Sequence, residues 1–248
     1  MRYFIKLAYN GKAYHGWQYQ PNAISVQETL EKVLFTALQA EIPLVGAGRT
    51  DAGVHSSEYF AHFDSKEIEH VDKFIYKLNS LLPEDIAVYN LIEVNDEAHA
   101  RFNASGRSYE YYVVQQKNPF RFETAHYVKN ELDVDKMNLA ATTLLDYTDF
   151  KCFSKSKTDV HTYNCKIVSA QWVKENDVLV FKITADRFLR NMVRAIVGTL
   201  LEIGLSKIPV SRLHEILESR DRQEAGTSVP AKALFLAKIE YPTSILNK

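Results

Sequence analysis

The chain has 248 residues, 46% hydrophobic and 25% charged, with 30 Lys/Arg against 31 Asp/Glu and a formal net charge of −1. That balance suits a soluble globular protein with a buried core and excludes a partner-binding mode driven by global positive charge; an anionic partner would have to meet basic residues gathered on one face. Two cysteines, Cys152 and Cys165, are too few for a disulfide framework and lack zinc-ligand spacing. No run approaches the roughly 18 apolar residues that span a bilayer. The N-terminal MRYFIKLAYNGK alternates and contains no signal-peptide apolar region, so a cytoplasmic location is expected.

In chain order, residues 2–9 alternate, with Tyr3, Ile5, Leu7 and Tyr9 on one side, and predict a strand. Ser25 followed by Glu28 is a capping-box pattern. It opens a helix whose stripe is Val26, Leu30, Val33, Leu34, Ala37 and Leu38. A glycine-dense stretch comes next, then a strand over Glu58–Phe63. Val71, Phe74, Ile75 and Leu78 predict a second helix ending before Pro83, and Ile86–Val94 reads as a third strand.

The second half repeats that order. Ser108–Gln115 alternates, with Tyr109, Tyr111 and Val113 on one face, and Met137, Ala140, Ala141, Leu144 and Leu145 form a helical stripe. Ile167–Val173 and Val178–Thr184 read as a hairpin turning at Glu175-Asn176-Asp177. A long helix is expected from about Phe188 to Ile203, then a short one near Ser211–Glu218 and a closing strand over Leu234–Tyr241. Two β-α-β-α-β halves imply an internal duplication: an N-terminal lobe over 1–103 and a C-terminal lobe over 104–248. Mixed order and hairpins favour an α+β class over a doubly wound sheet.

The stretch GAGRTDAGVHS (46–56) holds three of the chain's nine glycines around Arg49, Thr50 and Asp51. It is no P-loop, because Val54 and His55 stand where Lys and Ser/Thr are needed. Its glycine spacings also miss the dinucleotide pattern. A tight turn with solvated charges satisfies spacing alone. A metal site built from Asp51 and His55, with His99 and Asp64 as further ligands, has nothing in the sequence to assemble it.

Basic residues interleave with aromatics in three places. HARFNASGRSYEYY (99–112) sets Arg101 and Arg107 before a tyrosine-rich strand; Lys151, Lys155 and Lys157 surround Phe150 and Phe153; Arg187, Arg190 and Arg194 share one face of the expected long helix. Solvated charges over core aromatics would explain any one cluster. Three together suit RNA, where cations meet phosphates and rings stack on unpaired bases. The acidic segments Glu67–Asp72 and Glu215–Glu224 would then occupy the opposite face.

GRTDAGVH (48–55) resembles the signature of the tRNA pseudouridine synthase A family. YNGKAYHGWQYQ (9–20), HARFNASGRSYEY (99–111), RFLRNMVRAIVGTLLEIG (187–204) and VPAKALFLAKIEY (229–241) resemble its other tracts, so the resemblance covers nearly the whole chain. It implies a pseudouridine synthase fold, with two lobes forming a continuous mixed sheet around a central cleft, and usually a homodimer. It implies uridine-to-pseudouridine isomerisation at positions 38, 39 and 40 of the tRNA anticodon stem-loop, with neither cofactor nor metal.

By the same resemblance Asp51 is the essential nucleophile, with attack on sugar or base left open. Arg194 is its ion-pair partner, Tyr109 packs on the target uracil, and Leu234 lines the uracil pocket. Arg49 is expected to guard the space vacated by an extruded nucleotide. Arg101, Arg107, Lys151, Lys155, Arg187 and Arg190 are expected to contact RNA, while His55 and Tyr111 read as structural. The chain departs from the family pattern at Asn10, Asp146, Thr148, Arg187 and Ala233, which touches substrate-arm contacts and leaves Asp51, Tyr109 and Arg194 in place. A non-catalytic RNA-binding module or chaperone is the rival reading, and a phosphate-binding nucleotide enzyme a third.

Overall fold

The computed structural model describes residues 1–156 and 160–246; Lys157 of the second basic cluster lies outside them. The chain divides into two units: Met1–Ser105 together with the stretch from Phe235, and Gly106–Leu234.

In the first unit, β1 (Arg2–Tyr9) lies between β3 (His55–Asp64) and β4 (Ile86–Val94), antiparallel to both. A short β2 (Val45–Gly46) pairs antiparallel with β3, and β9 (Leu234–Glu240) runs parallel to it through His55↔Phe235 and Ser56↔Leu236. Helices α1 (Val26–Leu38) and α2 (Val71–Leu81) accompany this sheet. The alternation of β1 buries Tyr3, Ile5, Leu7 and Tyr9 as expected. Phe4 is buried on the opposite face as well, where Tyr241 packs edge-on at 5.3 Å. Ser25 caps α1 by accepting the Glu28 N–H at 3.2 Å. The Glu28 carboxylate pairs with Lys32 at 2.6 Å.

In the second unit, β8 (Val178–Ala185) lies between β5 (Gly106–Val114) and β7 (Ile167–Glu175), antiparallel to both, and a short β6 (His126–Tyr127) pairs parallel with β5. Asn176 makes the hairpin turn at φ 56°, a conformation asparagine tolerates. The helices are α3 (Val134–Thr143), α4 (Met192–Gly204) and α5 (Arg212–Ser219), with a short α6 (Thr243–Leu246) in the first unit. Eleven of the thirteen residues of α4 are buried, so it forms the core of its unit. Cys152 and Cys165 are buried free thiols there.

Two expectations change. The closing strand, grouped by sequence with the second lobe, belongs from Phe235 onward to the first unit, because it extends that unit's sheet beside β3. The long helix begins at Met192, four residues later than Phe188, because Asn191 adopts a left-handed φ of 67° at its cap. The α+β class, with mixed sheets flanked by helices, is as expected. Among the described residues, no helix is long and apolar enough to cross a membrane.

Candidate active site

Asp51 sits on the loop between β2 and β3, and its backbone is pinned on both sides. Before it, Thr50 Oγ1 shares a 2.9 Å hydrogen bond with the Tyr9 hydroxyl and accepts the Trp17 N–H at 3.1 Å. After it, Gly53, at φ 76°, donates its N–H to Tyr14 O at 3.2 Å, while Val54 N–H closes a turn onto Asp51 O at 3.1 Å. Earlier in the loop, both backbone groups of Gly48 bond the Tyr59 hydroxyl. Tyr59 stacks on Trp17, with ring centres 4.1 Å apart.

The two glycines of the 9–20 tract make this support possible. A Cβ on Gly11 would stand 1.9 Å from Val54 O, and one on Gly16 would stand 2.2 Å from Thr50 O. Only bare backbone fits against the loop at those points. The outcome is a half-buried carboxylate on a fixed backbone, with the Arg49 side chain exposed two residues earlier.

His55 is buried behind the loop. Its Nδ1 accepts the Gly11 N–H at 3.1 Å and its ring stacks on Phe235 at 4.5 Å. That is the structural role expected of it. The other donors weighed for a metal site are committed elsewhere: Asp64 takes two bonds from Arg2, each 2.8 Å, and His99 Nδ1 accepts the N–H groups of Arg101 and Phe102. Among the described residues, no group of three His, Cys, Asp or Glu is placed to hold a metal. Arg101 is exposed, with its guanidinium 5.6 Å from the Phe102 ring.

In the second unit, Arg194 lies in the first turn of α4, half-buried, and donates from Nε to Val229 O at 2.8 Å. Val229 N–H returns a bond to Arg194 O at 3.2 Å. The neighbouring segment is fastened to the same helix. A Cβ on Gly198 would lie 1.9 Å from Thr227 O, Gly226 N–H donates to Thr199 Oγ1 at 2.9 Å, and Asn191 Nδ2 donates to Ser228 Oγ at 2.6 Å. Tyr111 is buried and donates its hydroxyl to Pro230 O at 3.1 Å, and burial pushes that hydroxyl's pKa well up. Tyr111 is therefore structural, as expected.

Tyr109, one pleat away on the same face of β5, is half-buried, and its ring meets Phe188 edge-on at 5.2 Å. Arg107 Nη1 donates to Asp186 O at 2.9 Å, which brings the start of β5 against residues 186–188. Arg187 is half-buried there, and Leu234 is buried after the short 3₁₀ turn Ala231–Ala233. Arg190 is exposed, and its carbonyl accepts the Lys155 N–H at 3.0 Å. Lys151 and Lys155 are exposed.

Because α4 starts at Met192, the expected helical face of Arg187, Arg190 and Arg194 does not form. Only Arg194 is helical; the other two lie on the segment leading into the helix. The segment 215–224, expected to be acidic surface away from the basic groups, turns Arg220 and Arg222 towards Lys151 and Lys155. The sequence pattern gave no part in holding the Asp51 loop to Tyr9, Gly11, Gly16, Trp17, Thr50 and Tyr59, which do so. The paired glycines of the 9–20 tract were the available signal.

A family profile described as tRNA pseudouridine synthase matches residues 140–242. The tRNA pseudouridine synthase A of Bacteroides fragilis is 54% identical over 248 residues, covering 99% of this chain and 98% of that protein. Proteins of the same name from Parabacteroides distasonis and Acetivibrio thermocellus are 51% and 38% identical, over 98% and 95% of this chain and 97% of each relative.

Proposed function

Because this chain belongs to the tRNA pseudouridine synthase A family, an isomerase family, we propose that it converts uridine to pseudouridine in the anticodon stem-loop of tRNA, at positions 38, 39 and 40. The observation that carries this reading is the near-full-length likeness to a tRNA pseudouridine synthase A; the hydrogen bonds that hold the loop around Asp51 support a role for that residue.

In the proposed reaction the C1′–N1 bond breaks, the uracil turns, and a C1′–C5 bond forms. The proton on C5 leaves and N1 gains one, so the net change is an isomerisation that consumes no oxidant, reductant or group donor. Asp51 is the nucleophile, and its carboxylate must be ionised to act. Arg194 pairs with it and favours that ionised form. Tyr109 presents its ring to the uracil, and Leu234 lines the uracil pocket.

A base stacked in an RNA stem is out of reach, so the target nucleotide must be extruded. Arg49, exposed beside Asp51, takes the vacated position. Arg101, Arg107, Lys151, Lys155, Arg187 and Arg190 hold RNA phosphates. The same reading has the protein act in the cytoplasm as a homodimer, which sedimentation with and without tRNA would test.

The decisive assay uses tRNA tritiated at uridine C5, because rejoining through that carbon expels the label. Wild type is expected to release tritium, and Asp51→Ala to bind tRNA without releasing it. Equal release by both would remove Asp51 from the chemistry. Binding with no release by wild type would make the protein a non-catalytic RNA binder.

A further inference from the structure

Among the described residues, the second unit contains a cavity of about 570 Å³ lined by four cationic side chains, Lys151, Lys155, Arg220 and Arg222, with Tyr163 and the carboxylate of Asp221, while Asp149 reaches Arg220 from beside it. Three separate stretches build it: the short 3₁₀ turn Lys151–Phe153 and the residues after it, Tyr163, and the turn that ends α5.

Arg220 is the most telling member. It caps α5 in the left-handed conformation at φ 54°, where glycine or asparagine would be the unstrained choice. Its side chain reaches Asp149 at 2.5 Å and keeps 58% of its surface exposed. A guanidinium has five N–H donors, so one carboxylate contact leaves it able to bind a second anion. Asp149 also accepts the Lys151 backbone N–H at 2.9 Å, so one carboxylate holds both the Arg220 guanidinium and the backbone that carries Lys151. The Lys151 ammonium lies 5.8 Å from the Tyr163 ring centre, which holds it near the mouth.

Two further charges brace the walls. Arg222 donates to Ala225 O and Gly226 O, each at 3.2 Å, and to Ser228 Oγ at 2.9 Å. Asp221 accepts the Gln223 N–H at 2.9 Å. The excess of cationic donors over carboxylates matches a phosphate group, which arginine and lysine both recognise. Ser228 also takes the bond from Asn191 at the start of α4, and Lys155 N–H bonds Arg190 O. The walls are thus tied to the backbone that leads into Arg194.

We propose that this cavity grips a backbone phosphate of bound RNA through Arg220, Lys151 and Lys155, and so sets the register of the RNA against α4. The proposal rests on the RNA-binding reading above, and it adds Arg220 and a built site to what that reading assigns.

The test is tRNA binding across a salt series for wild type, Arg220→Gln and Arg220→Lys, with melting curves to confirm folding. Each phosphate contact contributes about 0.7–0.9 to the slope of log affinity against log salt. Arg220→Gln is expected to reduce the slope by about that amount, and Arg220→Lys to keep most of it. If Arg220→Gln melts early, Lys151→Gln carries the same measurement. An unchanged slope in folded variants overturns the proposal. So does saturable binding of inorganic phosphate that Arg220→Gln abolishes with the tRNA slope intact, because the cavity would then serve a small phosphorylated molecule. Tritium release by wild type is scored separately, so loss of the catalytic reading leaves the salt result interpretable.

Discussion

The Tyr9 hydroxyl lies 2.9 Å from Oγ1 of Thr50, and that bond joins the end of the first strand to the residue just before Asp51. Trp17 N–H donates to the same oxygen at 3.1 Å, and both aromatic residues are buried. Replacing Thr50 by valine keeps the shape and leaves both partners without it. Leaving a buried polar group unsatisfied costs about 1–3 kcal/mol. Thr50→Val is therefore expected to lose about that much stability in a denaturant titration and to release tritium more slowly than wild type. Thr50→Ser, which keeps the oxygen, is expected to recover most of both. Full activity in Thr50→Val would show that this support does not position Asp51.

Gly16 and Gly48 flank the same loop and should respond differently to alanine. Gly16 is at φ 91°, and an added Cβ would lie 2.2 Å from Thr50 O, a backbone atom with no side-chain freedom to retreat. Left-handed backbone costs an L-residue about 1–2 kcal/mol, and forced overpacking adds about 1–3. Gly48 has nothing within 4 Å of the same added atom. Gly16→Ala is expected to be destabilised by roughly 2–5 kcal/mol, and Gly48→Ala to stay within about 0.5 kcal/mol of wild type. Similar unfolding midpoints for the two variants would contradict the close approach at Gly16.

The contrast between these glycines also marks what the sequence could reveal. Features that depend on near neighbours were legible: the alternation of residues 2–9, the Ser25 cap, and the strand at Ile86–Val94, which keeps its expected limits. The start of α4 was not, because Leu189 continues the apolar stripe past the break. Asn191, of a residue type that tolerates φ 67° better than most non-glycine residues, was the one local hint. The grouping of β9 with the first unit depends on parallel pairing with β3, far away in sequence, and no local pattern encodes it. The loop motif singles out Asp51 only through resemblance, as the residue proposed for the chemistry, and the supports of its loop at Tyr9 and Trp17 emerge only once β1 and β3 are paired.

Arg194 tests the proposed ion pair. Its Nε donates to Val229 O at 2.8 Å, and both Arg194 and Asp51 are half-buried, so the full penalty of an orphaned buried charge is not expected. Arg194→Ala is expected to lose about 1.5–3 kcal/mol with that charged hydrogen bond, and tritium release should fall sharply. Stability measured for Arg194→Ala, Asp51→Ala and the double variant completes a cycle. Residues in one charge network couple by about 0.5 kcal/mol or more, whereas independent sites add to within about 0.3–0.5. Additive losses would remove Arg194 as the partner of Asp51.

The first unit should be acid-sensitive through His62. Its Nδ1 accepts the Ala100 N–H at 3.1 Å, so protonation there would break a buried bond. Burial first, then the charges of His99 and Arg2, push its pKa from 6.5 down to about 4. His99, whose ring centre is 4.6 Å away, is lowered too, chiefly by burial. The unfolded chain therefore binds a proton at His62 near pH 6.5 that the folded chain resists until about pH 4. The stability from neutral His62 is whole above pH 6.5 and is lost as pH falls towards 4. At about 1.4 kcal/mol per pH unit of that gap, the loss is on the order of 3 kcal/mol. Unfolding free energies measured between pH 7 and about 4 should fall more steeply for wild type than for His62→Gln, whose carbonyl can accept the same N–H without titrating. Parallel curves would place the acid sensitivity elsewhere.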